Sequence, residues 1–133
     1  MQWPHITAGY LAALALVYAT LAMNVVRLRR MNRAAFGDAG NAALRSAIRA
    51  HAHFAEYVPI TALMVMMLEM SGLPASRVHL LMAALVLSRL MHLLGMYTGS
   101  ATQAFRIFRT GGMTLTITLV IVCAVMILLR LSR

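Results

Sequence analysis

The residues best equipped for chemistry lie in one stretch, Arg45-Ser-Ala-Ile-Arg49-Ala-His51-Ala-His53-Phe-Ala-Glu56-Tyr57-Val-Pro59. Guanidinium groups grip carboxylates through paired N–H donors. A carboxylate can hold an ammonium group, and an imidazole exchanges protons near neutral pH. At about 100° per residue, with Arg45 at zero, Glu56 falls near 20°, Arg49 near 40°, His53 near 80° and Tyr57 near 120°. These five form one polar stripe down a helix, while His51, near 240°, faces elsewhere. The stripe runs into an apolar segment, where an unpaired charge is costly. It therefore calls for a partner or a charged ligand.

The rest of the chain consists mostly of Leu, Met, Ala and Val. Of its 133 residues, 62% are hydrophobic and 11% charged, and mean hydropathy is +0.80. A soluble domain would carry about 25% charged residues, so the composition is that of an integral membrane protein. The net charge is +9, and all 12 basic residues are arginine. A basic balance can also mark nucleic-acid binding. Here the arginines cluster in the gaps between apolar runs, which is the pattern of membrane topology. The acidic partners expected are anionic lipid headgroups and a small anionic ligand, not nucleic acid. Cys123, the only cysteine, lies in an apolar run and reads as packing.

Four apolar runs place the stripe. The reading is an all-α membrane protein, a single four-helix transmembrane domain over 1–133, with spans of approximately 6–26, 44–71, 75–97 and 112–130. No positive residue precedes the first run and Arg27, Arg29, Arg30 and Arg33 follow it. That is the reverse of a secretory signal, so an uncleaved anchor is expected. Gly37-Asp38-Ala-Gly40-Asn41 is turn chemistry. The second helix is longer than the hydrocarbon core, so its first turns stand in the interface. Pro59 should kink it or loosen one turn. Gly72-Leu-Pro74 ends it. Gly95, Gly99 and Ser100 mark the fraying end of the third helix. Thr98 to Thr110 reads as a connection, with Gly111-Gly112 before the fourth helix.

Glu56 and Arg89 are the charges hardest to place in lipid. Helix rise puts them roughly 22 Å and 18 Å from the outer end of their helices. Their similar depth and opposite sign predict a buried structural pair, Glu56–Arg89. Arg49, His53 and Glu56 can touch in succession along one face. His92 lies one turn after Arg89, and such a residue is more often a hydrogen-bonded helix histidine than a catalyst. His51 and His53 point apart, so no metal site is expected. Glu69 reads as hydrated at the outer end. No nucleophile elbow, C-x-x-C pair or phosphate loop is present. Any nucleophile must arrive with a ligand.

The stripe resembles the hallmark of the MAPEG family, the membrane-associated proteins in eicosanoid and glutathione metabolism. That hallmark is R-A-H-x-N-x-x-E, often followed by Tyr and a nearby Pro. It matches Arg49-Ala50-His51-Ala52-His53-Phe54-Ala55-Glu56-Tyr57-Val58-Pro59, with His53 in place of the usual Asn. The four-span layout, the arginines after the first span, and Arg89-Leu-Met-His92 are similar too. So are Val25-Val26-Arg27-Leu28-Arg29 and Ala35-Phe36-Gly37-Asp38, which resemble the short bacterial members. The resemblance implies a homotrimer, with glutathione as co-substrate held between protomers at the cytoplasmic end. It places Arg49, His51, His53, Glu56 and Tyr57 in that site. An arginine near the first helix exit (Arg27, Arg29 or Arg30) and another near the start of the fourth (Arg106 or Arg109) would handle the thiol. Two tyrosines that some members place on the third helix fall on His92 and Met96, a departure from the eicosanoid-type site.

The expected activity is that of a glutathione transferase or peroxidase acting on hydrophobic electrophiles that arrive through the bilayer. The alternative is a non-catalytic membrane binding protein on the same scaffold. A small multidrug-type transporter could use Glu56 alone, but the surrounding arginines oppose a cation pathway. Topology follows from charge. Arg27, Arg29, Arg30, Arg33, Arg45, Arg49, Arg106 and Arg109 lie at one end of the spans, against Arg77, Arg130 and Arg133 at the other. The arginine-rich side is expected to face the cytoplasm, with both termini outside. Together with the resemblance to the short bacterial members, this implies a bacterial inner-membrane protein with both termini periplasmic. Reporter fusions at the C-terminus should read periplasmic, and a cytoplasmic signal there would overturn the assignment.

Overall fold

Four long helices run antiparallel to their sequence neighbours: α1 (His5–Met31), α2 (Ala42–Met70), α3 (Ala75–Tyr97) and α4 (Gln103–Leu131). The computed structural model describes residues 3–98 and 102–132. Gly99, Ser100 and Arg133, which figured in the reading of the third helix's end and of the topology, lie outside the described residues. Three helices, α1, α3 and α4, are long and apolar enough to cross a membrane. α2 carries Arg45, Arg49, Glu56 and Glu69 along its length and is the least apolar by that count.

The helices start and stop where side chains can satisfy free backbone groups. Asn41 caps α2, its Oδ1 accepting from Leu44 N at 2.9 Å, and its amide reaches Asn32 Oδ1 at 2.9 Å. Asp38 accepts from Gly40 N and pairs with Arg45. The Arg45 guanidinium, with the Gly40 amide, holds the Asp38 carboxyl below the usual carboxylate range. Gly72, at φ +83°, ends α2 in the left-handed conformation that favours glycine. At the same end Glu69 is not left to solvent. Its carboxylate accepts from Ile6 N (3.0 Å), Thr7 N (2.9 Å) and Thr7 Oγ1 (2.6 Å). It thus caps the start of α1, whose own N-cap residue, Pro4, offers no side-chain bond. Arg130 donates to Ser71 O and Oγ, tying the end of α4 to the end of α2.

Two element boundaries differ from the sequence reading. α1 continues past residue 26 to Met31, so Arg27, Arg29 and Arg30 ride on helix. α4 begins at Gln103, capped by Thr102, so 103–110 is helix rather than connection. Gly111-Gly112 had signalled a break, but these glycines lie inside α4. Pro59 also sits inside an unbroken α2.

The core joins Leu14 and Leu21 of α1, Phe54, Val58, Ala62, Val65 and Leu68 of α2, Val78, Met82 and Leu85 of α3, and Leu119 and Cys123 of α4. The α1 helix packs on α2 and α3 but not on α4, while α3 and α4 pack together most extensively. Their closeness rests on Gly95 and Gly112. A Cβ on Gly95 would meet Arg109 N at 2.5 Å, and one on Gly112 would meet His92 N and Ser88 O at 2.7 Å. Small residues at such crossings let helix backbones touch in an apolar bundle.

Gly112→Ala should therefore destabilise the fold by about 1–3 kcal/mol through overpacking. Gly9→Ala, where a Cβ meets nothing within 4 Å, should be neutral or slightly stabilising. Unfolding in detergent measures both, and equal effects would remove the close-approach argument.

Candidate functional site

The polar stripe forms as the spacing required, at the arginine-rich end of α2. Arg45, Arg49 and Glu56 are exposed, and His53 and Tyr57 are half-buried. The same face continues toward the outer end as exposed Ile60, Leu63 and Met67. One uncovered strip thus passes from charged to apolar along a single helix.

Behind the stripe lies a buried polar cluster shared by α2, α3 and α4. Arg89 is only 1% exposed. It donates to His53 O and Gly112 O, each at 3.4 Å, and to Thr116 Oγ1. Its guanidinium carbon lies 5.6 Å from the centre of the Tyr57 ring. Thr116 Oγ1 lies 3.0 Å from Ser88 Oγ and 2.8 Å from Gly112 O. Arg89 Nε has no partner among the described residues.

The expected Glu56–Arg89 pair does not form. Similar depth was a correct inference about height but carried no information about rotation. Glu56 turns to the exposed face of α2, while Arg89 turns inward. There the carbonyls of His53 and Gly112 and the hydroxyl of Thr116 satisfy it, as buried charges in membrane bundles require. The only ion pair among the described residues is Arg45–Asp38.

Beside Arg89 the two histidines are joined to each other and to α4. His53 Nδ1 lies 3.0 Å from His92 Nε2, and His92 Nδ1 lies 3.2 Å from Arg109 O. The two rings stack with centroids 5.1 Å apart. His92, only 2% exposed, is thus wired between two helices. Met96, one helical turn further along α3, is buried as well, so neither position presents a side chain to solvent.

The remaining candidates fall elsewhere. His51 faces α1 and stacks on Tyr18 with centroids 4.8 Å apart, its Nε2 buried without a partner among the described residues. Arg27 donates to Asn24 Oδ1 at 3.0 Å, and Arg29 to the carbonyls of Ala34 and Ala35. Arg30 is exposed on α1. Arg106 and Arg109 are exposed on α4, with the Arg109 guanidinium over the Phe105 ring. Because α1 and α4 do not pack together, these two arginine groups belong to opposite flanks of the bundle. An apolar groove of about 230 Å³ opens between α1 and α2, lined by Leu11, Leu14, Tyr18, Phe54, Val58 and Pro59 among others. It holds no charged side chain.

Sequence reasoning missed Ser88, Gly95, Gly112 and Thr116. Gly111-Gly112 in an apolar run was the available signal. In sequence it reads as a helix start; in the structure it is a crossing point inside α4.

The profile of the MAPEG family matches residues 7–129. The chain belongs to the MAPEG family. It is also 38% identical over 111 residues to "Inner membrane protein YecN" of Escherichia coli strain K12, covering 84% of this chain and 81% of that protein. The same figures hold for the protein of that name from Escherichia coli O6:H1. No solved structure matches the chain. As a MAPEG protein with three strongly apolar helices, it is an integral membrane protein.

Since Glu56 does not hold Arg89, Glu56→Gln should leave unfolding in detergent unchanged within about 0.5 kcal/mol, as for an ordinary surface substitution. A loss of several kcal/mol would restore the ion pair.

Proposed function

We propose that this MAPEG protein is a glutathione-dependent transferase or peroxidase acting on hydrophobic electrophiles from the bilayer. It sits in a bacterial inner membrane, with the arginine-rich end cytoplasmic, both termini periplasmic and α2 as the fourth span. The observation that carries the reading is the uncovered stripe of Arg45, Arg49, His53 and Glu56 on α2. Glutathione has two carboxylates and one ammonium group. The stripe offers arginine for the former and Glu56 for the latter. The exposed Ile60, Leu63 and Met67 below it suit contact with a second copy of the chain. A homotrimer built on that strip would place glutathione between protomers, where Arg27 or Arg30 of one flank can approach Arg106 or Arg109 of another. An arginine beside the sulfur favours the thiolate. His51, turned toward Tyr18, supports the α1–α2 contact rather than the ligand. No metal enters this reading, and no cluster of potential metal ligands exists among the described residues.

One observation favours a second reading, a non-catalytic binding protein on the same scaffold. His92 and Met96 stand where some members have tyrosines, and both are buried. They cannot touch a substrate directly. Turnover with a model electrophile separates the readings.

A charge-assisted contact is worth about 1.5–3 kcal/mol. Arg49→Ala should thus weaken glutathione binding by about 10- to 100-fold, and Arg49→Lys should recover only part of it, lacking the planar fork. Calorimetry on detergent-solubilised protein measures this. Equal affinity in wild type and Arg49→Ala would remove Arg49 from the site.

A further inference from the structure

The hydrogen bonds behind the stripe determine where the histidine protons sit. Arg109 O is a carbonyl and can only accept, so His92 Nδ1, 3.2 Å away, carries the hydrogen. In a neutral His92 ring Nε2 is then a lone pair. His53 Nδ1, 3.0 Å from that lone pair, must donate to it. A neutral His53 is left with its own lone pair on Nε2. That atom has no hydrogen-bond partner among the described residues and is not among the buried unpartnered atoms. It belongs to the side chain that lies between Arg49 and Glu56 on the exposed stripe. A carbonyl on α4 thus fixes, through two imidazoles, an open proton acceptor on α2.

We propose that His53 is the proton acceptor for the thiol of bound glutathione, with His92 as its positioning residue. This rests on the glutathione reading above and adds the fate of the proton. The glutathione S–H bond breaks, the electron pair stays on sulfur, and the proton forms an N–H bond at His53 Nε2. The product is a thiolate facing an imidazolium, with no net change in charge. The imidazolium keeps its Nδ1–H donated to His92, so His92 need not move. The charged and titratable groups around His53 are Arg49, Glu56 and Tyr57 on its own helix, Arg89 and His92 on α3, and Arg109 on α4. Glu56 supports the imidazolium, Arg49, Arg89 and Arg109 oppose it, and the adjacent thiolate formed in the same step offsets that opposition. The close approach of α3 and α4 at Gly112 is what holds Arg109 O within reach of His92.

The test is calorimetry of glutathione binding in buffers of different ionisation heat, at a pH above the ordinary imidazole range and below the ordinary thiol range. Thiolate ultraviolet absorbance is followed in parallel. In wild type, binding should produce the thiolate absorbance with no proton released to buffer, because His53 keeps it. In His53→Asn the thiolate absorbance should fall to that of free glutathione, or appear only with release of a proton. His92→Phe, which keeps a ring but removes the acceptor, should lower the thiolate signal while largely sparing affinity. Nitrogen NMR of the wild-type imidazoles needs no variant, and both rings should show the Nδ1–H tautomer. Thiolate formed in wild type with about one proton released per glutathione would overturn the relay and leave the binding site standing. So would binding without any thiolate signal, or an Nε2–H tautomer at neutral His53. Absence of binding heat in wild type would instead sink the glutathione reading itself, and the relay with it.

Discussion

The contact between the α3 and α4 backbones at Gly95 and Gly112 is the constraint on which the polar interior depends. With a side chain at either position the helices could not approach, since a Cβ would fall 2.5–2.7 Å from the facing backbone. That closeness brings Gly112 O and Thr116 to Arg89, and Arg109 O to His92. In an apolar solvent, burying more hydrocarbon gives helices little reason to associate. Tight packing and hydrogen bonds must do so instead. The glycine crossing supplies the first and Arg89 exploits it for the second.

Arg89 then links three helices without a carboxylate. A guanidinium has five N–H donors in a rigid fork, so it can serve His53 O on one helix and Gly112 O and Thr116 on another at once. This frees Glu56, one of only three acidic residues in the chain, for the exposed face. The exposed stripe and the buried cluster thereby meet along α2. His53 and Tyr57 belong to both: the Tyr57 ring lies against the Arg89 guanidinium, and His53 has one nitrogen tied inward and the other open outward.

The two ends of the bundle are held by different chemistry. At the sparse end a glutamate caps a neighbouring helix and Arg130 reaches the α2 terminus. At the arginine-rich end many cations have no carboxylate partner among the described residues, because the chain has too few acids to match them. Such an excess at one end orients the protein in a membrane and leaves donors for anionic ligands.

Much of this is legible in the sequence alone. Apolar run lengths gave four helices, because a span must satisfy its backbone internally and cannot be much shorter than the bilayer. The 100° periodicity put Arg45, Arg49, His53 and Glu56 on one face and His51 on another, since those angles are fixed within a single helix. The Arg49-Ala-His51 to Pro59 stretch identified the family. The relative rotation of different helices was not legible. Depth placed Glu56 level with Arg89, but only packing decided that Arg89 faces Thr116 and that Glu56 faces out. Gly112 could not be told from a helix start, because a glycine in sequence looks the same whether it ends a helix or admits a neighbour. The His53–His92–Arg109 chain joins three helices through a backbone carbonyl, a group every residue carries, so no pattern of side chains could have announced it.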